Sequence, residues 1–180
     1  MSNITSSLAH SASKMSFDSL PPEVRNKAKQ CLVDFFAVAL GGYHAEGGKR
    51  IVAAIDKFEH GGPCSIIGAG SRTSAPFAAF ANGVLGKELD MDDGHRLGGS
   101  HIGAPVIPAA LAAAELAGVS GKSLIGGIVA GYDIHARVGQ AIDPSHKNRG
   151  FNPVGLNHFA QTLTLRTNTR RSTASLTPWP

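Results

Sequence analysis

A chain of 180 residues and 18.6 kDa, 42% hydrophobic and only 17% charged, carries enough apolar surface for one core, which excludes a peptide-like module and a wholly disordered chain. The net charge of +4 does not describe a nucleic-acid face: Arg166, Arg170 and Arg171 fall in the last eighteen residues, leaving +1 on residues 1–162, and no basic stripe is interleaved with aromatics. Two cysteines make no disulfide framework, the Ser-rich start carries no basic and apolar leader, and the longest apolar stretches are too short for a bilayer or are broken by Pro105, Pro108 and Glu115. The expectation is a soluble, cytoplasmic protein with no membrane and no nucleic-acid partner.

Glycine (22) and alanine (25) are so abundant, and aromatics so sparse, that closely packed helices are expected. The first clear helix follows Leu20-Pro21-Pro22-Glu23, where proline suits a first turn and Glu23 complements the dipole. Val24, Ala28, Cys31, Leu32, Phe35 and Ala39 then trace one face until Gly41-Gly42, which is expected to end it. A shorter helix is predicted over 49–58. Cys64-Ser65-Ile66-Ile67 reads as the one convincing strand. Ser74 and Pro76 open a helix toward Leu89; an Ala-rich helix is predicted from Pro108 to Leu116, closed by Gly118. Ser120 or Ser123 opens a last one reaching about Ala141. Four or five helices and one short strand make the chain mainly α. Residues 163–180, with five threonines and three arginines, form an irregular basic tail that fits none of this and reads as a solvated terminus or a frameshifted or truncated end.

The densest polar constellation is Leu89-Asp90-Met91-Asp92-Asp93-Gly94-His95-Arg96-Leu97-Gly98-Gly99-Ser100-His101, at the end of an apolar helix. Neighbouring acids raise one another's pKa, an imidazole moves protons near neutral pH, and glycines let backbone approach a ligand. The plain alternative is a solvated helix end with His101 as a cap. Carboxylates are unfavourable at a helix C-terminus, which argues for a function. A metal reading is weak: no His-Glu-x-x-His occurs, and a calcium loop beginning at Asp90 would need glycine at its sixth position and Glu at its twelfth, which is His101.

Gly68-Ala69-Gly70 lacks the third glycine of a dinucleotide fingerprint, because Thr73 stands there, and Gly121-Lys122-Ser123 lacks the earlier glycine of a phosphate loop, because Leu116 stands there. A second cluster, Asp143 to Pro153, contains His146, Lys147 and Arg149, which can clamp carboxylates; a plain surface loop fits it equally. Cys31 and Cys64 are expected to be buried thiols, His135 a packing residue, and His10, His44 and His60 surface residues.

The run Ala81-Asn82-Gly83 through His95, then His101-Ile102-Gly103-Ala104-Pro105-Val106-Ile107-Pro108, resembles the MmgE/PrpD family, which includes 2-methylcitrate dehydratase, cis-aconitate decarboxylase and iminodisuccinate epimerase. Leu20-Pro21-Pro22-Glu23-Val24 and the stretch from Gly131-Tyr132-Asp133 to Pro153 follow the same order, so the resemblance spans roughly residues 4–162. It implies that the chain is an N-terminal part, residues 1–162, of an all-helical domain without the family's lid domain, pairing as a homodimer in full-length members. It also implies no cofactor and no metal. By resemblance, Asp90, Asp92, Asp93 and His101 line the active site; His101 is expected to be the acid-base group with Asp90 and Asp93 catalytic beside it, and Asp92, His95, His146, Lys147 and Arg149 are expected to contact a small polycarboxylate substrate. Lysines that complete such sites come from later segments. Gly94 stands where many members have Thr, and Asn152 where many have His.

Three functions follow from that resemblance. One is a lyase module, dehydratase or decarboxylase, impaired as a fragment. Another is an isomerase or epimerase of an amino or imino diacid, separable by its product. The third is a non-catalytic remnant acting in self-association, for which an apolar surface over Leu124, Ile128 and Phe151 would speak.

Overall fold

The computed structural model describes residues 3–59, 61–97 and 99–151. Helix α1 (Ile4–Lys14) opens the chain, with Asn3 accepting the Thr5 N–H at 3.0 Å as its cap. No helix was expected in this Ser-rich stretch. It forms because Leu8, Ala12 and Met15 share one face and close on Ala130, Ile134 and Val138. A 3₁₀ turn (Phe17–Ser19) leads to α2 (Pro22–His44), followed by α3 (Glu46–Phe58). Gly41 and Gly42 do not end α2; they lie inside it. A Cβ on Gly42 would stand 2.1 Å from the Leu85 carbonyl oxygen, so these glycines serve the close approach of another helix rather than termination.

The strand expected at residues 64–67 is shorter and has a partner. Strand β1 (Cys64–Ser65) pairs antiparallel with β2 (Arg72–Thr73), the Cys64–Thr73 and Ser65–Arg72 pairs facing each other. The second strand was invisible because a two-residue strand has no period to read. Buried Asn82 holds this hairpin, accepting the Ile67 N–H at 2.8 Å and donating to the Ser65 carbonyl at 2.9 Å. Asn82 belongs to α4 (Ala75–Lys87), which packs along α2 and along α5 (Gly103–Ala117). Helix α5 begins five residues before the predicted start, and Pro108 lies within it. Gly118, left-handed at φ 59°, caps it by donating to the Ala114 and Glu115 carbonyls.

Ser120 caps α6 (Gly121–Ile142), and a short α7 (Ser145–Asn148) follows. The described residues therefore form a mainly α domain of seven α-helices and one small hairpin. Helix α5, buried along almost its whole length, is its central element, with α2, α4 and α6 packed on it through Phe35, Ala39, Leu85, Ile107, Ala110 and Ile128. No described helix is long and apolar enough to cross a membrane. Of the three residues whose joint exposure would favour self-association, Ile128 is 1% exposed, Leu124 only partly so and Phe151 alone is exposed.

Candidate active site

The polar constellation occupies the loop between the end of α4 and the start of α5, with the middle of α6 behind it. Asp90 adopts a left-handed backbone, φ 52°, a conformation that aspartate tolerates better than most residues. The Lys87 ammonium bonds the Asp90 carboxylate and lies 3.0 Å from Asp92 Oδ1. The Asp92 side chain is 2% exposed, and its second oxygen is 3.2 Å from His101 Nδ1, an ion-pair distance without hydrogen-bond alignment. Burial works against the charge on Lys87, but its bonds to the two carboxylates outweigh this and hold the ammonium above the ordinary lysine range. The bond to Lys87 holds the Asp90 carboxyl below its usual value.

Asp90, Asp92 and His101 offer ligand atoms within 4.8 Å of one another, a spacing that a metal ion could bridge. Lys87 already supplies a positive charge to both carboxylates, so the cluster is an ion-paired network in its own right.

Asp93 faces the other way. Its Oδ1 accepts the Gly103 N–H at 2.8 Å, placing a carboxylate at the N-terminus of α5, and its Oδ2 accepts the Tyr132 hydroxyl at 2.8 Å. A Cβ on Gly103 would come 2.4 Å from Asp93 Oδ1, so glycine is required for that approach. Burial, then the Asp93 charge, pushes the Tyr132 phenol well above its usual range. The Tyr132 ring also walls an apolar cavity of about 170 Å³ with Val24, Ala28, Cys31, Ile128 and Val129. Cys31 is only half-buried there, while Cys64 is fully buried and its thiol donates to the Ala112 carbonyl; burial raises both thiols.

Beyond the ion pairs, His95 and Ser100 bridge the base of the loop, the His95 N–H donating to the Ser100 carbonyl at 2.9 Å. Gly94, His95, Arg96, Gly99, Ser100 and His101 line an open depression of about 350 Å³, within the range of small-molecule sites. Lys147 reaches its rim: a Cβ on Gly99 would meet its Nζ at 2.9 Å, and the same ammonium pairs with Asp143 at 2.7 Å. The expected candidates thus divide. Asp90, Asp92, His95, His101 and Lys147 gather around the loop, and Asp93 supports it from behind. His146 is buried with Nδ1 3.0 Å from the Ile142 carbonyl, and Arg149 is exposed, its side chain without a partner among the described residues. Asn152, Pro153, His158 and the tail 163–180 lie outside the described residues.

Sequence reasoning passed over Lys87, Tyr132 and Ser100. Lys87 precedes Asp90 by three residues at a helix end, a spacing that is readable as a pair. The Ser100 and Tyr132 contacts join segments more than thirty residues apart, which no local pattern reveals. His135, expected as a packing residue, is indeed buried, with Nε2 2.6 Å from Ser100 Oγ.

A helical domain that presents an ion-paired carboxylate–imidazole loop between two buried helices is the class that fold and site define. The family model described as the MmgE/PrpD N-terminal domain matches residues 6–166, and the chain belongs to that family. It is 31% identical over 146 residues to a cis-aconitate decarboxylase of Aspergillus terreus, and 31% identical over 147 residues to a cis-aconitate decarboxylase-like protein of Aspergillus oryzae. Each match covers 78% of this chain and 30% of the relative, so the chain spans less than a third of the length of these relatives.

Proposed function

We propose that this chain carries the proton-transfer half of a lyase site, of dehydratase or decarboxylase type, for small di- or tricarboxylic acids. The observation that carries the reading is His101 held beside the buried Asp92 carboxylate at the edge of the loop depression. An imidazole backed by a carboxylate takes up a proton and is stabilised as it does so. In a dehydration, His101 removes the proton from the carbon next to a substrate carboxylate, and the hydroxyl on the neighbouring carbon leaves as water once protonated. In a decarboxylation, the carbon–carbon bond breaks, carbon dioxide departs, and the carbanion left behind receives its proton from His101. Lys147 and Arg96 border or approach the depression and neutralise substrate carboxylates; His146 and Arg149 belong to the same cationic segment. Asp90 and Lys87 keep Asp92 in place, and Asp93 fixes the loop against α5 and α6. The setting is cytoplasmic, and the site is completed by residues outside this chain within a homodimeric assembly.

The test is product analysis with cis-aconitate and 2-methylcitrate, by the chain itself and by the chain joined to the C-terminal part of a relative. Turnover that His101→Ala lowers by about a hundredfold or more supports the reading. No turnover or binding of either acid in both forms sinks it, and inversion of an amino or imino diacid would reassign it as an epimerase.

A further inference from the structure

The contact between Ser100 and His135 has no part in the mechanism above, yet it lies against the depression. Ser100 is 6% and His135 2% exposed, and Ser100 Oγ is 2.6 Å from His135 Nε2. Among the described residues, His135 Nδ1 is buried without a hydrogen-bond partner. Two proton arrangements are available. If Ser100 donates, the imidazole proton sits on Nδ1 as a buried N–H with no acceptor. If Nε2–H donates, Nδ1 is an unpaired acceptor and no buried N–H is left without a partner. The second arrangement frees the serine hydrogen. Burial, followed by the neighbouring His95, lowers the His135 pKa against the pull of Asp93, which favours the neutral ring.

With His135 occupying the serine lone pair, the hydroxyl hydrogen is left for an acceptor in the depression that Ser100 lines with His95, Arg96 and His101. Carboxylate oxygens are acceptor-only groups and match that donor. We propose that Ser100 is a ligand-binding residue that donates to a substrate carboxylate, and that His135 on α6 is its positioning residue, held as the neutral Nε2–H tautomer. The assignment rests on the reading of the site as one for small polycarboxylic acids.

Two measurements on the unaltered 180-residue chain and its variants decide it. Long-range nitrogen–proton NMR of the histidine rings at pH 7 should show His135 neutral and protonated on Nε2; a ring protonated on Nδ1, or on both nitrogens, overturns the proposal without any variant. Calorimetric titration with cis-aconitate should show Ser100→Ala binding about tenfold or more weakly, the loss expected for a hydrogen bond to a charged group. Ser100→Thr should stay within about threefold of the unaltered chain on the same scale. His135→Phe should weaken binding as much as Ser100→Ala, with no further loss in the double variant, and His135→Gln, whose amide donates from the Nε2 position, should recover most of it. A structural role alone would lower the melting temperature of the variants without this rescue. Binding unchanged in Ser100→Ala sinks the Ser100 assignment and leaves the lyase reading standing. No binding of cis-aconitate or 2-methylcitrate by the unaltered chain, alone or joined to the C-terminal part of a relative, sinks both.

Discussion

Asp93 shows how one residue can be read correctly by position and differently by contact. The sequence places it among three carboxylates beside two imidazoles, which marks the loop as polar and unusual. Both of its oxygens are taken up by Gly103 and Tyr132, so it holds helices together while Asp92 faces His101. Nothing in the local sequence distinguishes the two aspartates, because the difference is made by α6, thirty-nine residues away. Removing the hydroxyl in Tyr132→Phe leaves a carboxylate oxygen without its donor and should cost about 2 kcal/mol at pH 7, measured by urea unfolding. The raised Tyr132 pKa fixes the sign of its pH dependence. The folded state holds the phenolic proton to higher pH than the unfolded chain does, so this stabilisation is complete below about pH 10 and declines as pH rises above it. Tyr132→Phe should remove that alkaline decline; a slope unchanged by the substitution would contradict the assignment.

At the scale of elements, the helices of the mid-chain were legible because apolar residues recur at helical spacing, and their caps were legible at Ser120 and Gly118. Glycine was the residue most easily misread. Gly41-Gly42 looks like a stop signal, but in α2 it marks where α4 crosses, and Gly86 gives the reciprocal space for the Phe35 ring, 2.3 Å from where its Cβ would lie. A stop and a crossing have the same local composition; only the partner helix tells them apart. The start of α5 was missed for a related reason, since prolines read as breakers while the first of them, Pro105, falls in the opening turn. Gly42→Ala should destabilise the fold by at least about 2 kcal/mol, because backbone rather than a movable side chain blocks the new methyl. Gly121→Ala, at the open start of α6 where no atom lies within 4 Å, should stay within about 0.5 kcal/mol of the unaltered chain in the same measurement.

At the scale of the whole molecule, most of the net positive charge lies in the last eighteen residues of the sequence. Residues 1–162 carry +1 and the last eighteen carry the remaining charge, so a chain ending at Thr162 should leave a heparin column at lower salt than the full chain. Equal retention would mean that a folded basic face, centred on Lys147 and Arg149, does the binding instead. Lys87, the aspartates, His101, Tyr132, His135 and Lys147 all come from one uninterrupted stretch, beginning at the end of α4 and finishing in α7. A ribosome making this chain from its N-terminus therefore delivers every described support of the loop by the end of α7. The loop can therefore assemble on its supports while the nascent chain is still attached.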